Sequence, residues 1–423
     1  MASHRAAPID IIQSQSLQEL ILERTNAAKL KNDDEPFYLV DIGDVIYKYV
    51  TWTSMMPGIR PYFALKCHPD FQIIATLCSL GAGLDVASAG EIEIARALGL
   101  QDEDVVYSNT CKGISHIRAA AKEGLTQMSF DSEVELQRIK LTFPNAKLLI
   151  RLLADDSHSI LKTGAKAGTP FSRVSHLFKV AKELGLNVVG TSFHIGSGCH
   201  DPSAFTKAIE KSKKAFDIAK EQGLELKVLD IGGGFPGHAN TLFENMCHAV
   251  NQAIDIHFPA DSGVKIIAEP GRFFAHTSST LVANIIGKRL RYSDDDVQIE
   301  GHPNDTENME MLYHINDGLI GSFLGTILAR QKYLPQQLIP TKGKSYRSSL
   351  WGPSCGAMDC LLSDCNLPEM EAGEWVYYED MGAYTSCLTT NFNGFKNTTR
   401  YYYINEKYWN QYRKELSPYF SIE

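Results

Sequence analysis

Long apolar runs are missing from this chain. Nothing in its 423 residues approaches the roughly 20 consecutive apolar residues that cross a bilayer, which argues against a helical membrane span. Basic runs are scarce too. The formal net charge is −9 and the densest cationic stretch is Lys211-Ser212-Lys213-Lys214, so nothing favours a nucleic-acid partner. No low-complexity tract appears. The nine cysteines are odd in number and scattered, and Cys355 and Cys360 are too far apart for a Cys-x-x-Cys pair. Reduced thiols are expected, with neither a zinc nor a redox site. The first residues lack the apolar core of a secretory signal and Phe420-Ser421-Ile422-Glu423 matches no anchor signal, so a cytoplasmic protein is expected.

What is present is a rhythm. Short apolar runs at Tyr62–Lys66, Gly83–Ser88, Asp104–Asn109, Gln127–Asp131, Lys147–Leu153, Val188–Ile195, Leu226–Ile231 and Val264–Glu269 alternate with stretches of helical period. The latter include Glu91–Leu98, Ile114–Glu123, Ser132–Leu141, Val174–Leu184, Ala204–Gln222 and Phe243–His257. Strand alternating with helix predicts parallel βαβ units, and eight such strands close a (β/α)8 barrel. An open doubly wound sheet is the alternative, but it leaves the polar residues on so many strand ends unexplained. Leu17–Ala28 reads as amphipathic and Leu39–Ile46 as a strand leading into the barrel. After Arg272 the pattern turns β-like, at Ser279–Arg289, Trp375–Tyr378 and Thr398–Tyr403. The expected organisation is a barrel over residues 38–275 and a β-rich domain built from 1–37 and 276–423. The acidic, polar stretch 293–308 is expected to be a mobile loop.

Barrel chemistry sits at the C-terminal strand ends, and there the polar residues collect. Lys66 ends the first strand and Asp85 lies on the second. Arg151 is late on the fifth, and His194 and Ser197 end the sixth. Gly232-Gly233-Gly234 follow the seventh, and Glu269, Gly271 and Arg272 end the eighth. Each residue alone has a bland reading: a rim lysine, a tight glycine turn, a core histidine, a Glu269–Arg272 ion pair. Together they supply an amine, a nest of N–H groups with Arg272 and Ser197 for a phosphate dianion, a carboxylate for a ring nitrogen and an imidazole to stack on a ring. No Gly-Lys-Ser/Thr follows the glycines, so a nucleotide is a weak fit. The set matches what a protein contributes to a pyridoxal 5′-phosphate site.

On these motifs, with Arg60-Pro-Tyr-Phe-Ala-Leu-Lys66, Ser192-Phe-His-Ile-Gly-Ser197, Ala268-Glu-Pro-Gly-Arg272 and Trp351-Gly-Pro-Ser-Cys-Gly356, the chain resembles the eukaryotic ornithine decarboxylase family. These are fold-type III pyridoxal-phosphate decarboxylases with an alanine-racemase-like barrel, and the resemblance runs over about residues 36–404. It implies that Lys66 is the Schiff-base lysine, Glu269 the ring-nitrogen partner and His194 the stacking residue. Ser197, Gly232 to Gly234, Arg272 and Tyr384 would form the phosphate cradle, with Asp85, Glu91 and Arg151 around the site. Cys355 would protonate the substrate carbon from the second subunit of a head-to-tail homodimer with shared active sites.

The chain departs from the family where the substrate's distal end is held. The family's Gly-Pro-Thr-Cys-Asp-Gly-Leu-Asp reads Gly352-Pro-Ser-Cys-Gly-Ala-Met-Asp359 here, so Gly356 replaces an ammonium-binding aspartate. The second such aspartate, in a Tyr-Asp-His run, aligns with Arg330. Asp317 is kept, and His314 stands where tyrosine is usual. An α-decarboxylase of an L-amino acid with a modified or carboxylated, diaminobutyrate-like distal end is expected, as in fungal alkaloid pathways of the loline type. The alternatives are a true L-ornithine decarboxylase of polyamine synthesis and a non-catalytic regulator resembling antizyme inhibitors. Diaminopimelate-type decarboxylation is disfavoured, because Ser354 stands where that family has glutamate.

Overall fold

A computed structural model describes residues 6–292, 309–340 and 344–422, and the stretch 293–308 expected to form a mobile loop lies outside them. The chain divides into two compact units. The first is chiefly Asp44–His276 with Arg413–Tyr419; the second comprises Ala7–Gly43, Thr277–Tyr412 and the residues from Phe420 on.

The first unit is the barrel. Eight parallel strands, Ile59–Ala64, Gly83–Val86, Val105–Tyr107, Gln127–Phe130, Lys147–Leu152, Asn187–Phe193, Val228–Asp230 and Lys265–Ala268, pair in sequence order, and the last closes on the first through Ile267↔Arg60. Tyr62, Val106, Leu149 and Ile267 form one buried cluster. They come from strands that are mostly not neighbours in the ring, so they meet only inside it, as the side-chain layers of such barrels do. Polar caps start the surrounding helices. Asp70 Oδ1 accepts the N–H groups of Gln72 and Ile73, Ser88 Oγ that of Glu91, and Asn240 Oδ1 that of Leu242. Two readings are corrected. The strand before the barrel is Phe37–Asp41, and a helix, Ile42–Met55, begins at once. Ile42, Val45, Ile46 and Trp52 are buried at helical spacing, which overrides the β-branched composition. Lys66 is not on the first strand but in a 3-10 turn, Leu65–Cys67, just beyond it.

The second unit is a mixed sheet that joins distant parts of the chain. Phe37–Asp41 lies between Thr399–Asn405 (parallel) and Ser279–Tyr292 (antiparallel), and Ala7–Ile12 runs parallel to Thr399–Asn405. Met309–Ile315, Ser345–Trp351 and Cys360–Pro368 extend the sheet, and Trp375–Tyr378 pairs with Ser279–Tyr292. Leu20 and Ile21 of helix Leu17–Leu30 pack on Phe37, Leu39, Val282 and Tyr377. Because Phe37–Asp41 is a strand of this sheet, the barrel unit begins at Asp44 rather than near residue 38. Among the described residues no helix is long and apolar enough to cross a membrane.

One buried ion pair braces the barrel beside its mouth. Lys112 Nζ lies 2.8 Å from Glu135 and donates to the carbonyls of Asn109 and Ser129, tying the ends of the third and fourth strands to the following helix. Both side chains are essentially inaccessible to water. Burial lowers the lysine's proton affinity and Glu135 pulls it back up. Glu135→Leu strands a buried ammonium and should cost about 3–5 kcal/mol in a urea melt, and the double variant Lys112→Met/Glu135→Leu should recover most of it.

Candidate active site

The polar residues of the barrel unit converge at the C-terminal strand ends. Lys66 Nζ donates to Asp85 Oδ2 at 2.6 Å. Asp85 is buried on the second strand, and its other oxygen accepts from Ser108 Oγ. Lys66 is thus held at its tip by a carboxylate that is itself fixed, while its side chain stays 43% exposed and open to the mouth. Glu91, at the start of the next helix, accepts the N–H of Ala87; burial raises its proton affinity and the Asp85 charge adds to this.

His194 follows the sixth strand directly. Its Nδ1 accepts the N–H of Gly196 at 2.9 Å, which puts the proton of the neutral ring on Nε2. Desolvation, with the charges of Arg151 and Lys66, depresses its pKa well below the ordinary value, so the ring is neutral at physiological pH. A neutral, flat imidazole suits stacking on an aromatic ring. Across the mouth, Glu269 is buried just after the eighth strand. Burial first, then the carboxylates of Asp230 and Asp85, raises its pKa, and Lys66 opposes them. Glu269 Oε1 has no hydrogen-bond partner.

The phosphate-binding candidates cluster opposite. Gly232 has φ +62°, and a Cβ there would sit 1.9 Å from the Phe193 carbonyl oxygen, so only glycine brings these two strand ends so close. Gly233 and Gly234 continue this irregular segment, and Arg272 Nη2 reaches Ser197 Oγ at 3.4 Å. Arg272 opens a short helix, Arg272–Ala275, rather than ending the strand. Gly271 presses that turn against the lysine turn: a Cβ would lie 2.8 Å from Cys67 Cβ. Beneath the cradle Phe243 stacks on Phe273 at 4.0 Å and Phe205 on Phe235 at 4.6 Å, with Trp52 among them. Lys48, buried, donates to the carbonyls of Gly237 and Phe273 and so ties both loops together.

The other predicted residues lie in the second unit. Tyr384 adopts φ +57°, as Asp380 adopts +62°, and a left-handed aromatic residue is uncommon enough to mark a functional loop. Cys355 is exposed, and its N–H donates to Asn393 Oδ1 at 2.9 Å. Gly356 has no positive φ, and an added Cβ would meet nothing closer than Ser354 Oγ at 3.4 Å. Arg330 is exposed, has φ +51°, and makes no ion pair among the described residues. Asp317 is buried. Its Oδ1 accepts the N–H groups of Gly318 and Ser322, and its Oδ2 the Ser322 hydroxyl. That carboxylate organises its own turn and is a poor candidate for gripping a substrate.

Three residues escaped the sequence reading. Asp230, buried beside Glu269, was inside a quoted motif but looked like strand filler. Ser108, which bonds Asp85, carried no signal. Asp359 accepts the N–H groups of Leu319 and Ser354 and thereby joins the Asp317 turn to the cysteine loop; a buried acid ending a glycine-rich motif was its one clue.

Residues 42–276 match the family model described as pyridoxal-dependent decarboxylase, pyridoxal binding domain. The chain is 39% identical over 398 residues to ornithine decarboxylase of Mus musculus, covering 93% of this chain and 86% of that protein. It is 37% identical to antizyme inhibitor 2 of Xenopus laevis, again over 93% and 86% of the two chains. It is 40% identical over 372 residues to decarboxylase flvG of Aspergillus flavus, over 85% and 84%. Among solved structures, the arginine decarboxylase of Paramecium bursaria Chlorella virus bound to agmatine superimposes with a TM-score of 0.84 at 33% identity, covering 91% of this chain and all of that one.

The residues present fit pyridoxal 5′-phosphate. Glu269 offers a buried carboxyl at the mouth, and the glycine cradle has no room for side chains. Arg272 and Ser197 supply a cation and a hydroxyl beside it. Purified protein given pyridoxal phosphate should show the visible absorption band of the bound cofactor. Lys66→Ala should lose that band while keeping its far-ultraviolet circular dichroism; a regulator that has abandoned the cofactor would show no band in either form.

Proposed function

The chain belongs to the eukaryotic ornithine decarboxylase-like family of pyridoxal-phosphate decarboxylases, and from that premise we propose that its substrate is an L-amino acid with a carboxylate, not an ammonium, at its distal end. The observation that carries this reading is Arg330: an exposed guanidinium with no ion-pair partner among the described residues, standing where the resemblance calls for an acid. A guanidinium grips a carboxylate through two parallel hydrogen bonds. A distal ammonium would meet neither of the two expected acids, at a cost of about 2–5 kcal/mol where such a group is desolvated. Gly356 supports the same reading. Nothing in its backbone demands glycine and a Cβ fits there, so what its identity provides is space.

In this reading the bound cofactor supplies the electron sink that takes up the pair left behind when the substrate's α-carboxylate leaves as carbon dioxide. The chain's own residues do the rest. Arg272, Ser197 and the N–H groups of Gly233 and Gly234 would hold the phosphate, the Gly232 N–H being taken by Asp230, and His194 would present a neutral ring face. Glu269 would serve the ring nitrogen, while Lys66, steered by Asp85, would supply the amine for the aldehyde carbon. The Cys355 thiol, on its exposed loop, donates the proton that replaces the lost carboxylate. By the resemblance, that loop serves the barrel mouth of a second copy in a homodimer.

The reading of a regulator without activity gains no support from these residues, since Lys66, His194, Glu269, Arg272 and Cys355 are all present. A carbon dioxide release assay across a substrate panel tests the proposal. A carboxylated diaminobutyrate-type amino acid should exceed L-ornithine in kcat/KM by at least about tenfold, and Arg330→Ala should erase most of that margin, since a charge-assisted pair contributes about 1.5–3 kcal/mol. A preference for L-ornithine would sink it.

A further inference from the structure

Asp230 has no part in the reading above, yet it is the most deeply buried carboxyl at the mouth, with no accessible surface at all. It ends the seventh strand, and Glu269 follows the eighth. Backbone bonds lock the two strand ends together: the Glu269 N–H donates to the Gly232 carbonyl at 2.7 Å and the Ile231 N–H to the Ile267 carbonyl at 2.9 Å. Asp230 Oδ1 accepts the N–H of Gly232 at 2.8 Å, which fixes the left-handed turn of the cradle. Its Oδ2, like Glu269 Oε1, is buried without a partner. As two carboxylates the side chains have no donor between them; one proton turns the contact into a hydrogen bond.

We propose that Asp230 is a positioning residue, which shares a single proton with Glu269 and acts as a neutral carboxylic acid that donates to Glu269 when Glu269 faces the cofactor's ring nitrogen. Without cofactor the proton resides on Glu269, which donates to Asp230. Opposite a pyridinium it crosses to Asp230, so the singly protonated pair sets one negative charge against one positive. A carboxyl kept neutral by its surroundings so that it can donate is a known catalytic device, and two adjacent buried carboxyls titrate as a unit. The groups facing Asp230 are Glu269, Asp85 and Arg151, and those facing Glu269 are Asp230, Asp85 and Lys66. Burial and the Asp85 charge raise the proton affinity of Asp230, against the lowering effect of its hydrogen bonds with Glu269 and Gly232. The sign follows. A carboxyl raised in the folded state contributes fully when protonated, and its contribution fades as pH climbs through the raised value.

The test uses purified enzyme stripped of cofactor and titrated with pyridoxal 5′-phosphate between about pH 6 and about pH 9. Asp230→Asn keeps an oxygen for Gly232 and gains a permanent donor for Glu269. Near pH 6 it should bind within about threefold of wild type, while Asp230→Ala should bind at least about tenfold more weakly. As the pH rises, wild type should weaken relative to Asp230→Asn, because aspartate loses its proton and asparagine cannot. A wild-type-to-Asn affinity ratio that stays constant across the range overturns the proposal, and so does an Asn variant as impaired as Ala. Should the Ala variant fail to fold, the pH dependence of that ratio decides alone.

Discussion

Asp85, Asp230 and Glu269 meet at the barrel mouth with almost no water around them, and taking a lone carboxylate out of water costs far more than any one hydrogen bond returns. Each must therefore find a cation, a donor or a proton. Asp85 takes the Lys66 ammonium and the Ser108 hydroxyl. Asp230 takes the Gly232 N–H, under the influence of Arg151. Glu269 sits among carboxylates with little to oppose them, and burial together with Asp230 and Asp85 favours its protonated form. The reactive lysine, the acidic pair and the neutral histidine are thus solutions to one desolvation problem. Their close coupling is why altering one charge is felt by the others.

Precision at the mouth comes from packing beneath it. The glycine segment crosses the Phe193 carbonyl at a distance no Cβ tolerates, and so tight an approach holds only if the backbone behind it cannot shift. The Trp52, Phe205, Phe235, Phe243 and Phe273 cluster supplies that backing. Buried Lys48 adds polar ties to the carbonyls of Gly237 and Phe273. The aromatic residues flank the cradle in sequence, at Phe235 and Phe273. The glycine motif therefore also carries its own foundation.

The barrel was legible because its signals are local: an alternating period and polar residues at strand ends. All eight strands lie where the pattern placed them, although the first begins earlier, at Ile59, and most ends are trimmed. Ile42–Met55 was misread because its first residues look β-branched, and only burial at helical spacing separates the two cases. The second unit was harder. Its sheet joins Ala7–Ile12 to Thr399–Asn405, and no local pattern announces a pairing across nearly the whole chain. Within the site, the residues proposed to meet the cofactor stood out through their motifs. Residues that touch other residues, such as Ser108, Asp230 and Asp359, did not, because a supporting role depends on neighbours distant in sequence.

The same division bears on specificity. At the mouth the chemistry-bearing side chains are buried and interlocked, so replacing one disturbs the fold as well as the reaction. Arg330, Cys355 and Gly356 sit on exposed loops, where a changed side chain costs the fold little. Asp317 is an acid retained beside loops that have lost theirs. Its oxygens, however, hold Gly318 and Ser322 and so build the turn that Asp359 joins to the cysteine loop. Its presence reports a structural need and carries no information about the charge of the substrate. At 330 and 356 the chain has arginine and glycine where the resemblance calls for acids, so both departures remove negative charge, and neither side chain is one the fold relies on. On the proposed reading, this is the pattern expected when chemistry is held fixed by burial and distal recognition is left to loops that the fold does not constrain.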